Sequence, residues 1–247
     1  VAKRLGADQR SVKVQTAPAG AEELGRVSSP PITDLVQNAL RISDNVLAES
    51  LARQVAVATG GDPSFSGAAR AVQGALTAAG LDVGNTKMAD GSGLSTEDEV
   101  SAKLLGEIMA AASGPAGPSS PQAGLNQTDL DQPGVSRTAQ TTVSGTGTDS
   151  GSDRTARLRP LLGGLPVAGG DGTLAARFNS KDGTSLGKGY VRAKTGTLTG
   201  VSSLAGTVVD RDGRLLVFAW LSNGTSPADS RPRLDALAAA LRGCGCR

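Results

Sequence analysis

The chain has 247 residues, a formal net charge of +2, no histidine and two cysteines, a size that suits one large domain. Without histidine there is no Ser-His-Asp or Cys-His nucleophile and no His-ligated metal, so an activated serine would need lysine as its base. Aromatic residues are 2% against 38% apolar, which calls for an aliphatic core, and the near-neutral charge argues against a nucleic-acid surface.

In chain order, the opening VAKRLGADQR reads as a polar helical stretch with no signal-peptide signature. Ser29–Ile42 reads as a helix entered through Pro30 and Pro31, with Ile32, Leu35, Val36, Ala39 and Leu40 spaced to face a core. A second helix follows over Val46–Ala58, with Glu49 and Arg53 an i, i+4 pair, and a third over Ser64–Ala79. A fourth is expected from an N-cap at Ser95 or Thr96, backed by Asp98 or Glu99, through SAKLLGEIMAAA to about Ala112.

Residues 113–156 are rich in Ser, Thr, Gly, Pro, Asp and Gln, and read as a disordered insertion that cannot bury enough apolar surface to offset its ordering entropy. Leu158–Leu165 then suggests a short helix and Gly169–Gly172 a turn. Strands are expected over Gly189–Thr197, Ser202–Asp210 and Arg214–Leu221, the last two joined by the Asp212-Gly213 hairpin signal. The closing helix, Ala228–Leu241, carries Leu234, Leu237, Ala238 and Leu241 as a stripe for packing on that sheet. Helices followed by an antiparallel meander under a terminal helix give an α+β fold. Cys244 and Cys246 end the chain, and a bridge between cysteines two residues apart is geometrically difficult.

Two short signals carry chemistry: Ser43-Asp44-Asn45 at a helix-to-helix junction, and Lys194-Thr195-Gly196 inside the first strand. Alone, Ser43 reads as an N-cap and Lys194 as a charge protecting a sheet edge. Together and in this order they match two of the three signatures of serine penicillin-recognising enzymes, S-x-x-K, S-D-N and K-T-G.

With SDNVLAESLARQVA at 43–56, DGSGLS at 90–95, LPVAGGDGTLAARF at 165–178, VRAKTGTLTGVSSLAG at 191–206 and FAWLSNG at 218–224, the sequence resembles the class C low-molecular-mass penicillin-binding proteins, the S13-type D-Ala-D-Ala carboxypeptidases and endopeptidases. The resemblance implies a partial transpeptidase-like, β-lactamase-like domain, with antiparallel sheet and helices, that performs serine acyl transfer on peptidoglycan peptides without a cofactor or metal. It implies that Ser43 relays a proton between the catalytic lysine and the leaving amine, and that Asn45 holds the substrate amide. Lys194 and Thr195 would take the terminal carboxylate, Gly196 would admit the substrate backbone, and the Thr197 N–H would serve as an oxyanion donor. Asp44 is expected to face away and hold the turn, and DGSGLS to border the cleft. The implied partners are a stem peptide ending in D-Ala-D-Ala and, for the full-length form, β-lactams as acylating inhibitors; the parent protein would work outside the cytoplasm.

The departure from the pattern lies upstream. Residues 1–42 hold no Ser-x-x-Lys, Ser11-Val12-Lys13 has the wrong spacing, and Ser185 to Lys188 falls in a Gly-rich loop and reads as coincidence. The expectation is a C-terminal portion of a longer enzyme, inactive alone, with residues 1–28 returning from an inserted region and 29–247 belonging to the transpeptidase-like domain. Two other readings stay open: a non-catalytic peptidoglycan-peptide-binding remnant, and a class A-like β-lactamase.

Overall fold

The computed structural model describes residues 18–114, 151–179 and 183–245, with 4, 6 and 16 besides. The opening polar stretch and Ser11-Val12-Lys13 fall largely outside the described residues, as do 115–150, most of the expected insertion. The chain divides into two units, Val1–Pro30 and Pro31–Arg247. In the first, Ala21 N donates to Pro18 O (3.1 Å) and Arg26 pairs with Glu23 on the surface (2.8 Å).

The second unit runs α1 (Ile32–Ile42), α2 (Asn45–Ala58), α3 (Phe65–Ala78), α4 (Ala102–Ser113), α5 (Gly151–Leu158), α6 (Pro160–Gly164), β1 (Val191–Leu198), β2 (Val201–Val209), β3 (Leu215–Asn223) and α7 (Pro227–Gly243). The strands form an antiparallel sheet in the order β1-β2-β3. Gly196 stands opposite Ser203 and Lys194 opposite Ala205. Asp210 shapes the β2–β3 turn, accepting from the backbone N–H groups of Asp212 (2.9 Å) and Arg214 (2.8 Å).

One face of the sheet carries the aliphatic core. Val191 and Ala193 of β1, Leu204 and Val208 of β2 and Phe218 of β3 cluster with Leu234, Ala238 and Ala239 of α7 and with Leu174 and Phe178. Strand alternation sends Lys194 and Gly196 to the opposite face. There α4 packs on β3 and β2, which is why β2 is buried along nearly its whole length.

Five expectations are corrected. The α4 cap is Ser101, whose side chain accepts from Leu104 N, not Ser95 or Thr96. Residues 89–98 are held as a loop instead, because the Asp90 and Asp98 carboxylates take the N–H groups of Ser95 and Ala89 (2.8 and 2.6 Å). On α1, Ile32 is 61% exposed and Ala39 alone is buried, and on α7 Leu237 is 49% exposed. Residues 151–156, expected within the insertion, belong to the helix α5, whose Thr155 is buried. Cys244 is disulfide-bonded, against the expectation from spacing, and the partner sulfur lies outside the described residues. Among the described residues, no helix is long and apolar enough to cross a membrane.

Candidate active site

The turn between α1 and α2 is built by two adjacent residues with different tasks. Asp44 is the α2 N-cap, its Oδ1 accepting from Leu47 N at 2.9 Å, which satisfies one of the free N–H groups of the first turn. Ser43 is therefore not the cap. It closes α1 in the left-handed conformation (φ 58, ψ 51), which disfavours any residue with a Cβ by about 1 kcal/mol or more. That geometry sends the Ser43 hydroxyl away from the helices toward β1.

Across from it, Lys194 Nζ donates to Ser43 Oγ at 2.8 Å and to the Thr195 carbonyl at 2.6 Å. Burial lowers the Lys194 ammonium to about 8, so roughly a tenth of it is neutral at pH 7. Ser43, Asp44, Asn45, Lys194, Thr195, Gly196 and Thr197 all line one groove of about 390 Å³, closed on its far rim by Ser92, Gly93 and Leu94. The two motifs and the DGSGLS block thus meet, as the sequence reading required. The Ser185–Lys188 segment does not line the groove. Past Gly196, Thr197 and Leu198 the groove opens into a wider cavity of about 670 Å³ that Asp98 and Glu99 help to line.

The outer edge of β1 completes the groove. Pro166 and Ala168 pair with its first half, through Ala193 N to Pro166 O (3.0 Å) and Ala168 N to Val191 O (2.9 Å). By alternation the N–H groups of Thr195 and Thr197 point to the same edge, where no described backbone group meets them. An extended peptide can add there as a further strand.

The rim is rigid because carboxylates organise it. Asp90 accepts from the N–H groups of Ser92 (2.8 Å), Gly93 (2.6 Å) and Ser95 (2.8 Å). Burial alone would raise its carboxyl, but these hydrogen bonds outweigh it and hold the group below its ordinary value. Asp98 is raised, first by burial and further by the Asp90 charge. Glu49 of α2 pairs with Arg53 (2.9 Å) as expected, and its other oxygen accepts from Gly91 N (2.8 Å), docking the rim on α2.

Three residues escaped the sequence reading. Ser203 bears on Gly196 from within the sheet, since a Cβ at position 196 would need the Ser203 hydroxyl to swing aside. Thr173 accepts a hydrogen bond from the Thr195 hydroxyl at 3.0 Å, so Thr195 has an internal partner where only a substrate contact was foreseen. Asp235 of α7, also unforeseen, takes Arg177 in a two-pronged, largely buried ion pair (3.0 and 2.6 Å). Each is a cross-chain pairing with no local spacing signal.

Comparison with known proteins follows the same blocks. The family model described as D-Ala-D-Ala carboxypeptidase 3 (S13) matches residues 1–130 and 131–243. The chain belongs to the S13 family. It is 39% identical over 246 residues to carboxypeptidase Rv3627c of Mycobacterium tuberculosis and 37% identical over 247 residues to carboxypeptidase DacB of Mycolicibacterium smegmatis. Each alignment takes in 100% of this chain and 45% of the relative, so the chain spans less than half the length of the curated relatives it matches. Among solved structures, penicillin-binding protein 4 of Haemophilus influenzae, complexed with a β-lactam, superposes with a TM-score of 0.60 at 25% identity, covering 84% of this chain and 40% of that one. The α+β, penicillin-binding-protein-type fold expected from the sequence is the one observed.

Proposed function

We propose that the groove between the Ser43 turn and β1 is part of the active site of a serine-type D-Ala-D-Ala carboxypeptidase, acting on peptidoglycan stem peptides outside the cytoplasm and open to β-lactams as acylating mimics of that substrate. The observation that carries this reading is the Lys194–Ser43 hydrogen bond inside a groove with an unpaired strand edge. In it the peptide lies along β1. Lys194 supplies positive charge beside the free carboxylate, Thr195 adds a hydroxyl, and the Asn45 amide fixes the penultimate peptide bond. A serine nucleophile attacks the carbonyl of the penultimate D-alanine, whose oxygen takes the Thr197 N–H as the bond to the last residue breaks. Ser43, both donor and acceptor, passes the proton that the leaving amine needs, and water then releases the acyl group. Among the described residues, the groove's lining holds no Ser-x-x-Lys pair.

The test is release of D-alanine from a peptide ending in D-Ala-D-Ala by the protein expressed from its whole natural reading frame, with intact-mass detection of a penicillin adduct. D-Alanine release and a single adduct, both lost or cut at least a hundredfold by Lys194→Ala, are expected. Saturable peptide binding with neither release nor adduct would favour the non-catalytic alternative, and rapid hydrolysis of the penicillin would favour a β-lactamase.

A further inference from the structure

The segment from Leu165 to Phe178 lines none of the groove, yet it is tied to both of the groove's walls. Its Gly172, at φ 54, sits against the Arg41 carbonyl at the end of α1, where a Cβ could not be placed. Asp171 accepts from Val167 N at 2.8 Å and faces Arg41 at 3.6 Å. Leu174 is fully buried in the core behind the sheet. Thr173 lies between these fixed points, and its hydroxyl is 3.0 Å from that of Thr195.

We propose that Thr173 is a positioning residue that aims the Thr195 hydroxyl at the substrate's terminal carboxylate. The inference rests on the function proposed above and names which group reads the free chain end. As placed, Thr195 donates to Thr173. Two hydroxyls at this distance exchange roles by rotation about their C–O bonds, since each is donor and acceptor. With Thr173 as donor, the Thr195 oxygen keeps a partner and its own proton turns toward the groove. No covalent bond changes and no proton leaves either residue. A carboxylate beside Lys194 favours that orientation, because a hydrogen bond to an anion is stronger than one between neutral hydroxyls. Lys194 supplies charge without direction, whereas a hydroxyl held from behind supplies direction. Loss of the Thr173 hydroxyl therefore affects recognition of the charged end and leaves the rest of peptide binding alone.

The experiment is calorimetric titration of the full 247-residue chain with an N-acetylated peptide ending in D-Ala-D-Ala, as the free acid and as the C-terminal amide. The wild-type chain is expected to prefer the acid. Thr173→Val should weaken the acid five- to tenfold and leave the amide within twofold, and Thr173→Ser should restore the acid to within twofold of wild type. An unchanged acid-to-amide ratio in Thr173→Val would overturn the inference. So would an equal loss of both ligands with a lowered Tm, which marks a structural role, or a failure of Thr173→Ser to rescue. If the wild-type chain binds neither peptide, the proposed function fails and takes this inference with it; if wild type prefers the acid and Thr173→Val keeps the same acid-to-amide ratio, only this inference fails.

Discussion

Lys194 Nζ lies 2.8 Å from Ser43 Oγ, although 151 residues separate the two along the chain. The contact exists because Asp44 takes over the capping of α2 and leaves Ser43 in a left-handed turn facing β1. Strand alternation does the rest, placing the lysine on the sheet face away from the aliphatic core.

The conformation of Ser43 makes an unusual ordering testable. Glycine adopts this backbone freely while alanine keeps the strain, and both substitutions remove the bond to Lys194. Ser43→Gly should therefore be more stable than Ser43→Ala by about 1 kcal/mol in urea unfolding, although both bind the acid peptide at least fivefold more weakly than wild type. An alanine variant as stable as the glycine one would show that the turn is unstrained.

The buried lysine predicts a pH dependence. Its folded value is depressed by burial to about 8, so the folded chain holds this proton less tightly than the unfolded chain. Stability should rise with pH from about 8 towards the ordinary lysine value near 10.5, as the cost of a buried charge disappears. Peptide binding runs the other way, since only the ammonium attracts a carboxylate: affinity is flat below about 8 and falls above it. Titrations of wild type and Lys194→Met across that range check the sign, and an unchanged affinity on the alkaline side would remove Lys194 from the binding step.

The Arg177–Asp235 pair ties the segment behind the groove to α7 and is largely buried, with side-chain exposures of 18% and 9%. Removing the guanidinium takes two charge-assisted hydrogen bonds from a largely buried carboxylate, so Arg177→Ala should cost about 1.5–3 kcal/mol in unfolding free energy. A double Arg177→Met, Asp235→Leu variant should recover most of that loss. A single variant within 1 kcal/mol of wild type would show that the pair adds little net stability.

Gly196 separates two explanations. A Cβ there displaces the Ser203 hydroxyl across the sheet, so Gly196→Ala should lower Tm by a few degrees at most, and adding Ser203→Ala should restore it. If the double variant also regains peptide affinity, the glycine serves the strand pair; recovery of Tm without affinity means that the peptide backbone itself needs the space.

The pattern along the chain was enough for the element order and for the two motifs. Helical and alternating spacing gave α2 and the three strands within a residue or two, and Ser43-Asp44-Asn45 with Lys194-Thr195-Gly196 marked the walls of the groove. Misreadings arose where carboxylates acted at short range on the backbone. Asp90 and Asp98 hold the loop that was read as a helix start, because a local hydrogen bond to an N–H competes with helix formation. The α1 stripe expected in the core is half-buried at Leu35, Val36 and Leu40, buried only at Ala39 and exposed at Ile32, since periodicity reports which residues share a face and not how deeply that face is covered. Thr173, Ser203 and Asp235 act only through partners distant in sequence, and nothing in their own neighbourhoods announces it.

The central claim is that the Ser43–Lys194 groove receives a peptide with a free D-Ala-D-Ala end, and parallel titrations of the acid peptide into wild type and Lys194→Ala test it most directly. Saturation at one site in wild type, weakened at least tenfold in the variant while its Tm is kept, is the result predicted. Equal affinity in the two proteins would place the binding elsewhere and contradict the account.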